Sequence, residues 1–211
     1  MLKLLSWPTS PFGAKVKVCL KALNLYDTVE IINYHPWQRD EDLRRLNPLN
    51  KIPVLILEDG SVLYDSPVIC EYINDMGKGA LIPQDQKFWI LKVQALCDGI
   101  LDAAVNARYE THFRPEPLRS KDWYNRQIQA VTSGLDALSL EPLDQSLTLA
   151  TLVSFVTLSY LELRYPSMAR EAVPEHLTIW YEEFQSTYPW LMDVAPSDSL
   201  PLPSNLTSII Q

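Results

Sequence analysis

The sequence predicts a small α/β domain followed by an all-helical domain. Strand, helix and hairpin patterns alternate within the first 80 residues, whereas no strand pattern returns after residues 78–83. Two strand-to-helix crossovers followed by a hairpin are typical of one sheet covered by helices. The predicted boundaries are 1–80 for the α/β domain, 85–195 for the helical domain and 196–211 for an irregular tail.

Each element of the first domain has a local signal. Ser10 followed by Pro11 is typical of a helix start, with a serine cap and a proline in the first turn, and Ser66-Pro67 repeats it. Asp59-Gly60 between two apolar runs indicates a hairpin. The predicted order is strand 2–6, helix 12–24, strand 29–32, short helix 41–46, hairpin strands 53–57 and 61–64, and helix 66–75.

The second domain shows helical periodicity interrupted by proline or short polar breaks. Predicted helices cover 85–112, 120–138, 148–164 and 174–184. The helix at 148 opens with Thr148, but Thr151 stands where a capping box usually has an acid. The proline-containing tail is expected to lie over the surface or to be mobile.

Composition and charge exclude several classes of protein. The net charge of −8 speaks against a nucleic-acid-binding face, and no apolar run is long enough for a membrane span or a signal peptide. Residues 1–80 carry a net charge of −1 and residues 81–211 carry −7, so an anionic ligand meets less repulsion in the first part. The three cysteines show no metal-ligand or disulfide spacing, which predicts no metal site and favours a reducing, cytoplasmic compartment.

Two serines at predicted helix starts could hold an anion. Backbone N–H groups and the positive helix end favour a negative charge beside Ser10, and a hydroxyl there can hydrogen-bond a thiolate and lower the pKa of the thiol. Ser66, preceded by Asp65, could hold the carboxylate and the ammonium of an amino-acid head group. The alternative for both serines is a purely structural helix cap.

The segment from Asn50 to Val54 places a proline at the start of a strand after a polar turn. A cis bond between Ile52 and Pro53 would turn the Ile52 backbone groups outward, where an extended peptide could pair with them. The alternative is a trans proline at a strand edge. Asn50 suits such a turn because asparagine accepts a positive φ.

Three motifs follow one another in the first part of the chain: Ser10-Pro11-Phe12 with Lys15-Val16, then Asn47-Pro48-x-x-Lys51-Ile52-Pro53-Val54-Leu55, then Asp59-Gly60-x-x-Leu63-x-Asp65-Ser66-x-x-Ile69-x-x-Tyr72. Together they resemble the N-terminal half of a soluble glutathione S-transferase. The resemblance covers residues 1–190 and is closest to the serine-type tau, zeta, phi or related bacterial classes. It implies a thioredoxin-like first domain, a helical-bundle second domain, glutathione as co-substrate and a cytoplasmic homodimer.

The resemblance also implies a role for each matching residue. Ser10 is expected to hydrogen-bond the glutathione sulfur, with Thr9 as the alternative hydroxyl. Ile52, before the expected cis-proline Pro53, is expected to pair with the cysteinyl unit. Asp65 and Ser66 are expected to hold the γ-glutamyl end of the tripeptide. Lys51, with Gln38 or Arg39, is expected to lie near the glycyl carboxylate. Asp102 is expected to reach the glutathione that is bound by a partner subunit.

The helical half is expected to supply an apolar wall for an electrophile. Candidates for the wall are Phe12, Ala104, Val105, Arg108, Tyr109, Phe113 and Trp123.

Gly13 follows Phe12 in the first turn of the first helix. It is expected to open the mouth of the site or to soften this turn.

Three functions remain open: glutathione conjugation to an apolar electrophile, glutathione-dependent isomerisation, and a non-catalytic binding or scaffold role on the same fold. The Ser-Ser-Cys-Ser motif of the zeta-like isomerases is absent.

Asp102 also has an alternative interpretation: it could be a solvated or helix-pairing carboxylate with no role in binding glutathione.

Overall fold

The computed structural model of the chain describes residues 1–35, 37 and 41–200. Gln38 and Arg39, two candidates for the glycyl end of glutathione, lie outside the described residues.

The first part of the chain forms one four-stranded mixed sheet with helices on both faces. The strand order is β2-β1-β3-β4; β1 is parallel to β2, and β3 is antiparallel to β1 and β4. This is the predicted thioredoxin-like α/β arrangement. The elements are β1 (Leu2–Ser6), α1 (Pro11–Ala22), β2 (Val29–Asn33), α2 (Glu41–Leu46), β3 (Val54–Ile56), β4 (Val62–Tyr64) and α3 (Ser66–Met76).

Side chains that alternate along the strands divide between the two faces of this sheet. Leu4 and Leu55 are buried in the main core, which also contains the apolar faces of α1 and α3. Leu5, which follows Leu4, and Val54, which precedes Leu55 on the antiparallel strand, are buried with Leu43 of α2 in a second, smaller core. The period of two along a strand explains the two layers.

The second part of the chain is helical, as predicted. Its helices are α4 (Lys87–Arg108), α5 (Lys121–Ser139), α6 (Leu149–Arg164), α7 (Pro166–Ala172) and α8 (Glu175–Thr187). Helix α7 was not predicted. It begins at Pro166, where the sequence indicated only a break between two helices. Residues Tyr109–Phe113 continue α4 as a π-helical turn, so the expected helix to residue 112 changes its hydrogen-bonding pattern at residue 109.

Helix α6 is the centre of the helical part. Every residue from Leu149 to Leu161 is buried, as expected for a helix that is surrounded by other elements. The helix begins with a capping box although Thr151 stands in place of the usual acid. Thr151 Oγ1 accepts from the Thr148 N–H at 3.0 Å, and Thr148 Oγ1 accepts from the Thr151 N–H at 3.3 Å.

The sheet part and the helical part share the main core, and α1 packs against α6. Lys15 of α1 and Asp98 of α4 form an ion pair, with the Lys15 side chain completely buried. Among the helices formed by the described residues, none is both long and apolar enough to cross a membrane.

Candidate functional site

Three chain segments with predicted binding residues meet at one end of the sheet. Val54 of β3 pairs with Leu5 of β1 and with Tyr64 of β4. Because β3 is antiparallel to both, the segment before β3 lies beside the segments that follow β1 and β4. These segments carry Thr9 and Ser10 after β1, Lys51, Ile52 and Pro53 before β3, and Asp65 and Ser66 after β4.

Ser10 caps α1 and keeps a proton to donate. Its Oγ accepts from the Gly13 N–H at 3.2 Å, and within the described part of the chain its own O–H has no acceptor. Pro11 has no N–H, so the free backbone donor of the first turn is that of Phe12. The capping role and the chemical role of Ser10 are therefore compatible. Thr9 lies in the same turn and borders the same cleft, so the choice between the two hydroxyls stays a prediction.

Gly13 does not open the mouth of the site. It is buried against β1, and a Cβ there would collide with Ser6 Oγ and lie 3.2 Å from Ser6 Cβ. The absence of a side chain at this position lets the first turn of α1 approach the sheet closely. The expectation that Gly13 widens the cleft was wrong because the residue faces the sheet.

A rigid turn leads into the strand that was predicted to bind a peptide. Asn47 is buried, donates from Nδ2 to the Lys51 carbonyl at 2.8 Å and accepts from the Leu49 N–H at 3.0 Å. Asn50 has a φ of 54°, as the sequence predicted, and the Ile52–Pro53 bond is cis. Lys51 and Ile52 line the cleft.

Ile52 and Asn50 offer unused hydrogen-bonding groups at this edge. In the described part of the chain, the Ile52 backbone N–H and C=O have no backbone partner. Asn50 Oδ1 is buried without a hydrogen-bond partner among the residues that the structure describes, and Asn50 lines the cleft. From the sequence, Asn50 was expected to matter only through its backbone conformation. A carboxamide beside the predicted peptide-binding edge was the signal for a further role.

The start of α3 differs in detail from the prediction. Asp65, not Ser66, occupies the cap position, with a φ of 71° and no side-chain capping bond. Ser66 is the first helical residue; it is 1% exposed, and its Oγ has no partner among the described residues. The residue was predicted to be a helix cap or an anion ligand, and its geometry removes the capping alternative. Asp65 is exposed.

A cleft of about 790 Å³ runs from this end of the sheet to the helical part. Thr9, Ser10 and Phe12 border it on the sheet side, and Asp102 of the same chain borders it on α4. Whether Asp102 also reaches a partner subunit stays a prediction. The cleft is not lined by Pro53, Asp65 or Ser66.

The helical wall matches the prediction in most positions. Ala104 is buried and lies outside the wall, although its carbonyl accepts from Tyr165 Oη at 2.7 Å. Trp123 is 46% exposed and borders a separate surface cleft on α5. The predicted wall residues that line the cleft are Phe12, Val105, Arg108, Tyr109 and Phe113.

Sequence reasoning missed an aromatic cluster that spans the cleft. Trp37, in the loop after β2, stacks on Phe113 with ring centroids 4.8 Å apart and planes 7° apart. It also meets Tyr109 edge to face at 5.5 Å. The π-helical turn brings Tyr109 and Phe113 together, and no periodic pattern in a loop indicates that Trp37 would join them.

The tail was also missed as part of the site. The Ser197 N–H donates to the Pro8 carbonyl at 3.0 Å, directly beside the Thr9–Ser10 turn. Asp198 receives two hydrogen bonds from Arg164, at 2.9 and 3.0 Å. Asp198 and Arg164 both line the cleft, so this part of the tail is held at the site.

Two further carboxylates lie close enough to Asp102 to affect its ionisation. Burial raises the pKa of Asp102, the charges of Asp98 and Asp65 raise it further, and the charge of Lys51 lowers it. Burial also raises the pKa of Asp98, against the lowering effect of its ion-pair partner Lys15. The negative charges of Asp65 and Asp102, which have no such ion pair among the described residues, favour a cation such as an ammonium group near them.

The cysteines are not placed to act as nucleophiles. All three are buried, and the pKa of Cys97 is raised to about 12, mainly by burial. Cys19 and Cys70 lie 3.8 Å apart between their sulfur atoms, and their interaction raises the pKa of the Cys19 thiol. Thiols that stay protonated at neutral pH are poor nucleophiles.

Comparisons with known proteins agree with this architecture. The family model of the glutathione S-transferase N-terminal domain matches residues 9–76. The uncharacterized GST-like protein YibF of Escherichia coli (strain K12) is 36% identical over 172 residues, which is 77% of this chain and 83% of that protein.

Solved structures of glutathione transferases have the same fold as this chain. A glutathione transferase family member from Pseudomonas fluorescens Pf-5, with bound glutathione, is 33% identical with a TM-score of 0.86. A glutathione S-transferase from Methylobacillus flagellatus KT, with GSH bound, is 34% identical with a TM-score of 0.81. Each match covers 93% of this chain and 100% of the other chain. The order of motifs, the fold and these relatives together show that the chain belongs to the glutathione S-transferase family.

Proposed function

We propose that this protein binds glutathione at the end of its sheet and activates the thiol for conjugation to an apolar electrophile. The observation that carries the proposal is Ser10, whose hydroxyl caps α1, retains a proton to donate and borders the cleft. The two similar structures with bound glutathione support the choice of ligand.

The charge and hydrogen-bonding pattern suits an extended γ-glutamyl tripeptide. The Ile52 backbone groups, which have no backbone partner in the described part of the chain, would pair with the cysteinyl unit, as an added strand does. At the γ-glutamyl end, the Ser66 Oγ would bind the carboxylate, and the charges of Asp65 and Asp102 would attract the ammonium group. Lys51, with Gln38 or Arg39, would face the glycyl carboxylate.

The chemistry follows from the environment of the sulfur. A hydrogen bond from Ser10 and the positive end of α1 both stabilise the thiolate over the thiol. The thiolate then forms a carbon–sulfur bond while the leaving group departs with its electron pair. The aromatic cluster and Val105 would hold the apolar body of the electrophile.

Ser10→Ala tests the thiol-activating role, with Thr9→Ala as the matched control. Loss of a hydrogen bond to a charged group costs about 1.5–3 kcal/mol, so the pKa of bound glutathione is expected to rise by about one to two units. Turnover of 1-chloro-2,4-dinitrobenzene should therefore fall roughly 10- to 100-fold at pH 6.5 and much less at pH 9, with a small change in glutathione affinity.

The pH–rate profiles of the two variants decide between the hydroxyls. An unchanged profile for Ser10→Ala together with a shifted profile for Thr9→Ala would transfer the role to Thr9. Glutathione binding without turnover across a broad panel of electrophiles would favour a non-catalytic binding protein, and no binding would refute the proposed function.

We also propose a cytoplasmic homodimer. Exposed apolar side chains on α3 and at the start of α4 support the dimer, with Val68 49% and Phe88 83% exposed. The three free cysteines support a reducing compartment. Sedimentation as a single chain at micromolar concentration would contradict the dimer, and recovery in a non-cytoplasmic fraction would contradict the location.

A further inference from the structure

Two arginines on the helical side line the cleft. Arg108 ends α4 and Arg164 ends α6, and both line the cleft. Arg164 is paired with Asp198, but Arg108 has no ion pair and no side-chain hydrogen bond to any described residue. Within residues 1–35, 37 and 41–200, Asp198 is therefore the one carboxylate that pairs with either arginine.

This excess of positive charge is unfavourable without a further anion. Burial lowers the pKa of Arg108 and the charge of Arg164 lowers it further, so the Arg108 cation is partly desolvated and is repelled by Arg164. The end of α4 does not account for the cation either, because the helix continues directly into the π-helical turn Tyr109–Phe113. Unpaired, half-buried charges are generally compensated by a partner.

A neutral donor lies beside the arginines. Tyr160 is 3% exposed and lines the cleft, and its hydroxyl has no partner among the described residues. Its pKa is raised to about 12 by burial, so the hydroxyl keeps its proton and can donate it. His112 also lines the cleft, and burial together with both arginines lowers its pKa. At neutral pH the positive charge therefore resides on the arginines.

The shape of this group of residues suits a planar anion. A guanidinium presents parallel N–H donors that match the two oxygens of a carboxylate. Arg164 already makes such a two-bond contact with Asp198, at 2.9 and 3.0 Å. Tyr109, which follows Arg108 in the chain, and Phe113 give the same wall of the cleft an aromatic surface.

We propose that the electrophile carries a carboxylate on its apolar body, and that Arg108 binds this carboxylate with Tyr160 donating beside it. This inference rests on the proposed conjugation, and it assigns Arg108 the selection of the second substrate. Asp198 neutralises Arg164 and so limits the attraction for the incoming anion.

A pair of isosteric probes tests the proposal. In 4-chloro-3-nitrobenzoate and 4-chloro-3-nitrobenzamide the glutathione thiolate attacks the carbon that bears chlorine. A carbon–sulfur bond forms, the carbon–chlorine bond breaks, chloride leaves with the electron pair, and the thiol proton passes to solvent. Each kcat/KM is divided by the uncatalysed rate with glutathione at the same pH, so that the ratio of the two probes reports recognition of the carboxylate alone.

The wild-type protein is expected to prefer the benzoate about tenfold or more, as charge-assisted hydrogen bonds predict. Arg108→Met should remove most of this preference, and Arg108→Lys should restore part of it. Asp198→Asn should increase it, because the second arginine is then uncompensated. Arg170→Met is the matched control: it removes one positive charge from an exposed site on α7 that does not line the cleft, and should leave the ratio unchanged.

Binding without glutathione separates failure of this inference from failure of the proposed function. Titration with 3-nitrobenzoate and 3-nitrobenzamide, followed by tryptophan fluorescence, measures the anion subsite directly. Preferential benzoate binding that is lost in Arg108→Met would support the subsite even if neither probe is conjugated. Equal normalised use of the two chlorinated probes by the wild-type protein, or an equal ratio in wild type and Arg108→Met, would overturn the proposal while leaving conjugation intact.

Discussion

The ion pair between Lys15 and Asp98 makes a strong prediction about stability. Lys15 Nζ lies 2.6 and 2.8 Å from the two Asp98 oxygens, and the side chains are 0% and 18% exposed. Lys15→Met keeps the length of the side chain and removes its charge. The Asp98 carboxylate then remains largely buried without a cation beside it. Breaking such a pair typically costs about 3–5 kcal/mol, and we expect a loss of unfolding free energy in this range.

The double variant Lys15→Met, Asp98→Asn isolates the charge from the packing. With both charges removed, no uncompensated ion remains, so most of the lost stability should return. Urea unfolding of the wild type, both single variants and the double variant forms a complete cycle. A coupling free energy near zero would refute the reasoning.

The pH dependence gives a second readout of the same pair. The folded-state pKa of Asp98 is raised by burial, so the stability contributed by its protonated form is present below the unfolded value of about 3.8 and is lost as the pH rises through the folded value. Lys15→Met removes a group that lowers this pKa and shifts the loss to higher pH. The deficit of the variant should therefore be smaller at pH 5 than at pH 7.5. A deficit below about 1 kcal/mol at both pH values would contradict a buried, uncompensated charge.

Two further predictions concern the backbone that positions the site. Gly13→Ala should lower the melting temperature clearly, and should do so less in a Ser6→Ala background, because the new methyl group collides first with Ser6 Oγ; equal losses in both backgrounds would refute the close approach. Asn47→Ala removes both side-chain bonds that hold the turn before Lys51 and should cost about 1–3 kcal/mol in chemical unfolding while weakening glutathione binding in calorimetric titration. Weaker binding without loss of stability would show that the turn is held by other contacts.

Local patterns predicted most of the fold because each depends on neighbouring residues. The serine–proline start at Ser10, the Asp59-Gly60 hairpin and the positive φ of Asn50 all follow from steric preferences within a few residues. Where a second group decides, prediction was weaker. Asp65 rather than Ser66 caps α3, and Thr151 replaces an acid in the capping box through its own hydroxyl.

The sequence by itself determined the order of elements, the location of the segments that are proposed to supply a hydroxyl and to bind a peptide, and the division into a nearly neutral half and an acidic half. These features depend on composition and on the periodicity of residues close together in the chain. Only the tertiary structure decided what faces the cleft. Trp37 stacks on Phe113 from a distant loop, and Asp198 of the tail pairs with Arg164 while Arg108 has no ion-pair partner among the described residues. Such pairings depend on packing between segments far apart in the chain, and no local pattern encodes them.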